Sequence, residues 1–79
     1  MLPDAEAKLR DVVRSVLQVP ADFDVTRASQ LTVESWDSLA HVSLMLALEG
    51  EFSVTIDLAD QLELTNYESI RLYLEQHVS

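Results

Sequence analysis

The group in this sequence best placed to do chemistry is a serine hydroxyl at the start of a long apolar helix pattern. Ser38 stands in Trp36-Asp37-Ser38-Leu39, directly ahead of the run Leu39-Ala40-His41-Val42-Ser43-Leu44-Met45-Leu46-Ala47-Leu48. One hydroxyl presented at the first turn of a helix, where unpaired N–H groups and a partial positive charge gather, suggests a place where something is attached. The same serine also reads as an ordinary residue of a helix start. His41 follows three residues later and can share a helix face with Ser38. That pairing raises Ser–His nucleophilic chemistry. No orienting acid or oxyanion donor accompanies the pair, and so small a chain offers little room for a pocket. His41 is therefore expected on the surface beside Ser38, able to touch an attached group or a partner.

Other constellations fail on spacing. Asp22-Phe23-Asp24-Val25-Thr26 alternates oxygen side chains like the start of a calcium loop, but Arg27 stands where the turn glycine belongs and Val33 where the closing Glu belongs. His41 and His77 lack metal-ligand spacing. There is no glycine-rich phosphate loop. No cysteine is present, so the chain has neither a disulfide nor a thiol of its own. Any thioester chemistry would need an imported sulfur.

Composition narrows the functional classes. The chain has 79 residues, enough for one domain spanning 1–79, and 48% of them are hydrophobic, enough for one small core. Fourteen acidic residues against five basic ones give a formal charge of −9. Such a surface repels phosphate backbones and anionic lipid, and suits partners with basic docking patches. Solubility alone is the plainer reading of the same charge. No stretch reaches the length of a membrane span. Met1-Leu2-Pro3-Asp4-Ala5-Glu6 lacks the basic start and apolar core of an export signal, so a cytoplasmic protein is expected, and separately a monomer.

Apolar residues at three-and-four spacing and a scarcity of breakers predict an all-helical chain. The first helix is predicted over Asp4–Leu17, with Asp4 as N-cap and Ala5, Leu9, Val12, Val13, Val16 and Leu17 inward. A long connection follows, over 18–36, pinned to the core by Phe23, Val25, Leu31 and Val33 and closed by Trp36. The second helix is predicted over Ser38–Phe52 with Asp37 as N-cap. Leu44, Met45, Leu48 and Phe52 form one face, and Leu39, Val42 and Leu46 an adjoining one. That excess of apolar surface means either deep burial or a partner face. An extended link over 53–56 leads to a short helix from Leu58 to about Leu62, capped by Asp57. Thr65 and Glu68 read as a capping box for the last helix, with Tyr67, Ile70, Tyr73 and Leu74 inward. These elements make a small four-helix bundle with three main helices, one short helix and a long first loop.

In these residues the chain resembles the acyl carrier protein family. The match runs through Asp37-Ser38-Leu39, then Val42, Leu46, Ala47, Leu48, Glu49, Glu51, Phe52 and Ile56, to Leu64-Thr65 opening the last helix. The order of helices and loop matches as well, so the resemblance covers essentially the whole chain. It implies that Ser38 is esterified to 4′-phosphopantetheine, taken from coenzyme A by a phosphopantetheinyl transferase. It also implies that acyl groups ride as thioesters on the arm's thiol. Under that resemblance Asp37 and Leu39 serve recognition by the transferase. Leu39, Val42 and Leu46 face partner enzymes that load or process the acyl group, although core packing is an equally open reading of Val42 and Leu46.

The chain departs from familiar members in three places. Acids common inside the second helix are replaced by Ala40 and Ser43, which shifts docking toward Leu39, Val42 and the later acids Glu49, Glu51, Asp57 and Asp60. Those acids read otherwise as a solvated face. The glycine common before the motif is Trp36. Gly50 stands within a helix, at a cost of roughly 1 kcal/mol against Ala. The expected function is a non-catalytic carrier of acyl groups in fatty acid, polyketide or related biosynthesis. An aminoacyl or peptidyl carrier is the alternative within the class. A cofactor-free acidic helical adaptor, binding through Leu39, Val42 and Leu46, is the alternative outside it.

Overall fold

The computed structural model describes residues 1–77. Helix α1 spans Pro3–Leu17, α2 Ser38–Phe52, α3 Leu58–Glu63 and α4 Tyr67–His77, with a 3-10 turn at Val25–Arg27. Among the described residues no strand forms, and the order of elements is the one expected.

Helix α1 buries Leu9, Val13 and Leu17, four residues apart on one stripe. Their partners are Leu44, Met45, Leu48 and Phe52 of α2 and Tyr67, Ile70 and Leu74 of α4. Ala5, Val12, Val16 and Tyr73 lie at the margin of this core, partly buried. Asp4 is not the N-cap. Leu2 holds that position and Pro3 opens the helix. Proline suits the first helical position because its fixed φ matches the helix and its missing N–H would have had no partner there.

The long connection is pinned by Val25, Ala28, Val33 and Trp36, all buried, with Phe23 partly so. Leu31 is 97% exposed and pins nothing. The reason is local. Ser29 accepts the Leu31 N–H on its hydroxyl at 3.2 Å and the Thr32 and Val33 N–H groups on its carbonyl, which turns the chain outward. The same segment is tied to the start of α4. Gln30 donates its N–H to the Thr65 carbonyl at 2.9 Å, and Tyr67 donates to the Ala28 carbonyl at 3.0 Å, as an antiparallel bridge between Ser29 and Asn66.

That bridge also moves the cap of α4 by one residue. The Ser69 N–H donates to Asn66 Oδ1 at 2.8 Å, and the Ser69 hydroxyl donates to the Asn66 carbonyl at 2.9 Å. The expected Thr65–Glu68 box does not form, because the bridge holds the Thr65 carbonyl and places Asn66 at the turn. Glu68 pairs instead with Arg71 one turn on, and that hydrogen bond holds its carboxyl below the usual carboxylate range.

Two stability predictions follow from the packing. A Cβ built on Gly50 meets nothing within 4 Å. Gly50→Ala should therefore raise unfolding stability by about 1 kcal/mol, read as a higher denaturant midpoint at unchanged slope. The Tyr67 ring is buried, and its hydroxyl has no hydrogen-bond partner among the described residues. Burial pushes its phenol pKa up, while Arg10 stands near without completing a hydrogen bond. Tyr67→Phe removes that orphaned group and should leave stability unchanged or raise it by about 1 kcal/mol.

Candidate functional site

The sequence around Ser38 builds its own helix start. Asp37 adopts extended backbone and accepts the Ala40 N–H on Oδ1 at 2.8 Å, while its carbonyl accepts the His41 N–H at 2.9 Å. Asp37 thereby closes the first turn and leaves the N–H groups of Ser38 and Leu39 without intrahelical acceptors. Ser38 is the first residue of α2 and is exposed. Its hydroxyl enters no hydrogen bond among the described residues. The hydroxyl is therefore free at the positive end of a 15-residue helix.

The apolar residues split as two faces of α2. Leu44, Met45, Leu48 and Phe52 are buried, whereas Leu39, Val42 and Leu46 stay exposed at 77%, 53% and 63%. Core packing is thus excluded for Val42 and Leu46. Two further leucines, Leu58 and Leu62, stand one turn apart on α3 and are 72% and 70% exposed. The sequence placed that helix but assigned it no face. The missed signal was two leucines at helical spacing in a helix too short to bury them.

His41 is not a free surface side chain. It is half-buried, and both ring nitrogens are engaged. Trp36 Nε1–H donates to His41 Nδ1 at 3.1 Å, and His41 Nε2 lies 2.7 Å from the Gln61 carbonyl oxygen. The surface placement expected for His41 is thereby corrected: its nitrogens hold Trp36 and α3. Nothing in this arrangement turns the ring toward the Ser38 hydroxyl as a base.

No Lys or Arg stands between Arg27 and Arg71, so the half of the chain around α2 and α3 is wholly acidic in its charged side chains. The acids are not equivalent. Glu49 is half-buried and accepts the Ile56 N–H at 2.8 Å, which ties the link after α2. Glu51 faces Lys8 of α1 at 3.6 Å, and Lys8 also donates to the Glu51 carbonyl at 2.7 Å. Asp57 occupies the N-cap position of α3 but makes no side-chain cap bond, and it is exposed; Asp60 is half-buried. Asp57 and Asp60 therefore stand on α3 with Leu58 and Leu62, whereas Glu49 also ties the link after α2 and Glu51, 53% exposed, also pairs with Lys8.

The calcium-like segment resolves into a cap. Asp24 accepts both the Thr26 hydroxyl and the Thr26 N–H, which holds its carboxyl below the usual range and starts the 3-10 turn. Among the described residues no group of three or more His, Asp or Glu side chains is placed to hold a metal ion, and no helix is long and apolar enough to cross a membrane.

A small helical bundle that offers one free serine hydroxyl at the head of its second helix, beside an exposed apolar stripe, has the form of a carrier domain. Comparison with known families agrees. Residues 7–74 match the family described as "phosphopantetheine attachment site", and the chain belongs to that family. It is also similar to acyl carrier protein 4, chloroplastic, of Arabidopsis thaliana, with 28% identity over 71 residues, covering 90% of this chain and 52% of that protein. The chain thus spans about half the length of this curated relative.

The family's covalent cofactor is 4′-phosphopantetheine. The residues fit it. There is a free hydroxyl to esterify, two unpaired N–H groups and a helix dipole to favour the phosphodiester, and no cysteine to compete with the imported thiol.

Proposed function

We propose that Ser38 is the attachment residue and that the chain carries acyl intermediates in fatty acid, polyketide or related acyl biosynthesis. The observation that carries this reading is the free, exposed hydroxyl on the Asp37-capped start of α2. When bound, the cofactor supplies a terminal thiol on which acyl groups are held as thioesters.

The chain's own residues present and position; they do not catalyse. Attachment would form an Oγ–P bond at Ser38 as the pyrophosphate P–O bond of coenzyme A breaks and 3′,5′-adenosine bisphosphate leaves, with the Oγ–H proton lost. The proton must leave to a base on the transferase, since the nearest imidazole, His41, is held by Trp36 and Gln61. Asp37 fixes the turn the transferase meets, and Leu39 stands exposed beside it. Leu39, Val42 and Leu46 on α2 and Leu58 and Leu62 on α3 supply apolar docking surface. Asp57 and Asp60, with the wholly acidic run around them, favour partner enzymes whose patches are apolar and rimmed by basic residues. The acyl reading over the aminoacyl one is supported by the long apolar second helix, the negative charge and the similarity to a plant acyl carrier protein.

Charging of the loaded protein tests this choice. The phosphopantetheinylated chain is offered in parallel to an enzyme that activates fatty acids and to one that activates amino acids. A thioester formed with the first and not the second, read by intact mass, is the expected outcome. Charging with amino acids alone would move the chain to the aminoacyl carriers.

A further inference from the structure

The Trp36–His41–Gln61 hydrogen bonds run outward from the core residue Trp36 and join three segments at the turn of α2 that presents Ser38. The indole N–H donates to His41 Nδ1, so Nδ1 must be the bare nitrogen. In a neutral ring the proton then lies on Nε2, which donates to the Gln61 carbonyl at 2.7 Å. One tautomer satisfies both contacts. The indole and imidazole also lie nearly parallel, 27° apart, with centroids 6.2 Å from each other. Trp36 is itself fixed, being only 2% exposed.

Helix α3 needs such an anchor. It has six residues, none of them fully buried, and no side-chain cap at its start. A helix that short has no stability of its own in water. Its flanking residues Ile56 and Leu64 are buried, and within it the hydrogen bonds centre on Gln61: the Gln61 N–H donates to the Asp57 carbonyl, its side-chain amide donates to the Ile56 carbonyl at 2.9 Å, and its carbonyl accepts from Leu64 and from His41. The first three of these bonds are local to the segment. His41 alone among these joins α3 to α2.

We infer that His41 is a positioning residue, which sets the outer face of α3, with Leu58 and Leu62, at a fixed place relative to α2, the helix that Ser38 opens. The partner surface is then preformed across two helices. This inference rests on Ser38 being the attachment residue only for its functional consequence; the clasp itself is independent of that reading.

The test has a structural and a kinetic arm. In the unmodified protein, in mildly alkaline buffer, imidazole nitrogen NMR shifts should report a bare Nδ1 and a protonated Nε2 for His41. His41→Ala should speed hydrogen exchange of the Gln61 and Leu64 amides at least about tenfold relative to the α1 and α4 core amides, with helix content unchanged. In phosphopantetheinyl transfer by a transferase, His41→Ala should raise KM several-fold at unchanged kcat, because docking and not chemistry is lost. His41→Gln, which keeps one donor and one acceptor, should recover part of both effects. A protonated Nδ1 would overturn the inference, as would equal exchange of Gln61 and Leu64 in parent and variant. Uniformly faster exchange in every helix would also overturn it, by making His41 a general fold residue. Failure of the parent to be loaded at all would instead overturn the attachment reading and leave the clasp standing.

Discussion

Ser38→Ala is expected to abolish phosphopantetheinylation completely while the domain stays folded. The hydroxyl makes no hydrogen bond among the described residues, and the cap of α2 comes from Asp37, whose Oδ1 holds the Ala40 N–H. Alanine is also a better helix former than serine, so the stability change should lie within about 0.5 kcal/mol of zero. Far-UV circular dichroism and the melting temperature would match the parent, while intact mass shows no gain after incubation with coenzyme A and a transferase. The effect is all-or-none because no second hydroxyl stands in the first turn of α2: Asp37 and Leu39 lack one, and Ser43 lies within the helix, past its free N–H groups. A cofactor-free adaptor docking through Leu39, Val42 and Leu46 would lose nothing in this variant. Unfolding of Ser38→Ala would show that the hydroxyl is structural.

The largest effect on stability is expected from Trp36→Gly. Glycine is the residue that familiar carrier proteins place before the motif, so the substitution looks like a reversion. Here the indole is buried against the core and its N–H serves His41. Removing it leaves a cavity and strands the imidazole Nδ1. Large-to-small replacement of a buried Trp costs about 3–5 kcal/mol, and glycine adds backbone entropy to the unfolded chain. A domain of this size has a total stability of roughly 4–12 kcal/mol. The melting temperature should fall by more than about 12 °C. Trp36→Phe keeps most of the apolar volume and loses only the donor, so it should fall less than half as far. A Trp36→Gly protein that melts like the parent would mean that the loop can close without the ring.

What was legible in the sequence was what local chemistry decides. Asp37 before a long apolar run is a cap whatever the rest of the chain does, so the start of α2 and the position of Ser38 were readable directly. The two faces of α2 followed from helical spacing, and Leu44, Met45, Leu48 and Phe52 are buried as that spacing required. The misreadings lie where distant segments compete with local preference. Thr65 and Asn66 are both good caps. The choice between them was made by Gln30 and Ala28, which take the backbone groups of Thr65 and Tyr67. Leu31 had the hydrophobicity of a core residue but sits on a turn closed by the Ser29 hydroxyl and carbonyl. His41 read as an exposed neighbour of Ser38 because its second partner, the Gln61 carbonyl, is 20 residues away and carries no side-chain signature. Leu58 and Leu62 were passed over because exposed leucines in a short helix look like packing until their accessibility is known.

The most direct test of the central claim is to locate the modification. The parent protein is loaded from coenzyme A by a broad-specificity transferase, its intact mass is measured, and the modified peptide is fragmented to place the added group. Cleavage after Arg27 and Arg71 yields one long peptide that holds Ser38 together with Ser29, Ser35, Ser43, Ser53 and Ser69, so fragmentation must separate them. A single phosphopantetheine unit on Ser38 is the predicted result. A unit on any other serine, or no gain of mass by a protein shown to be folded, would contradict the account.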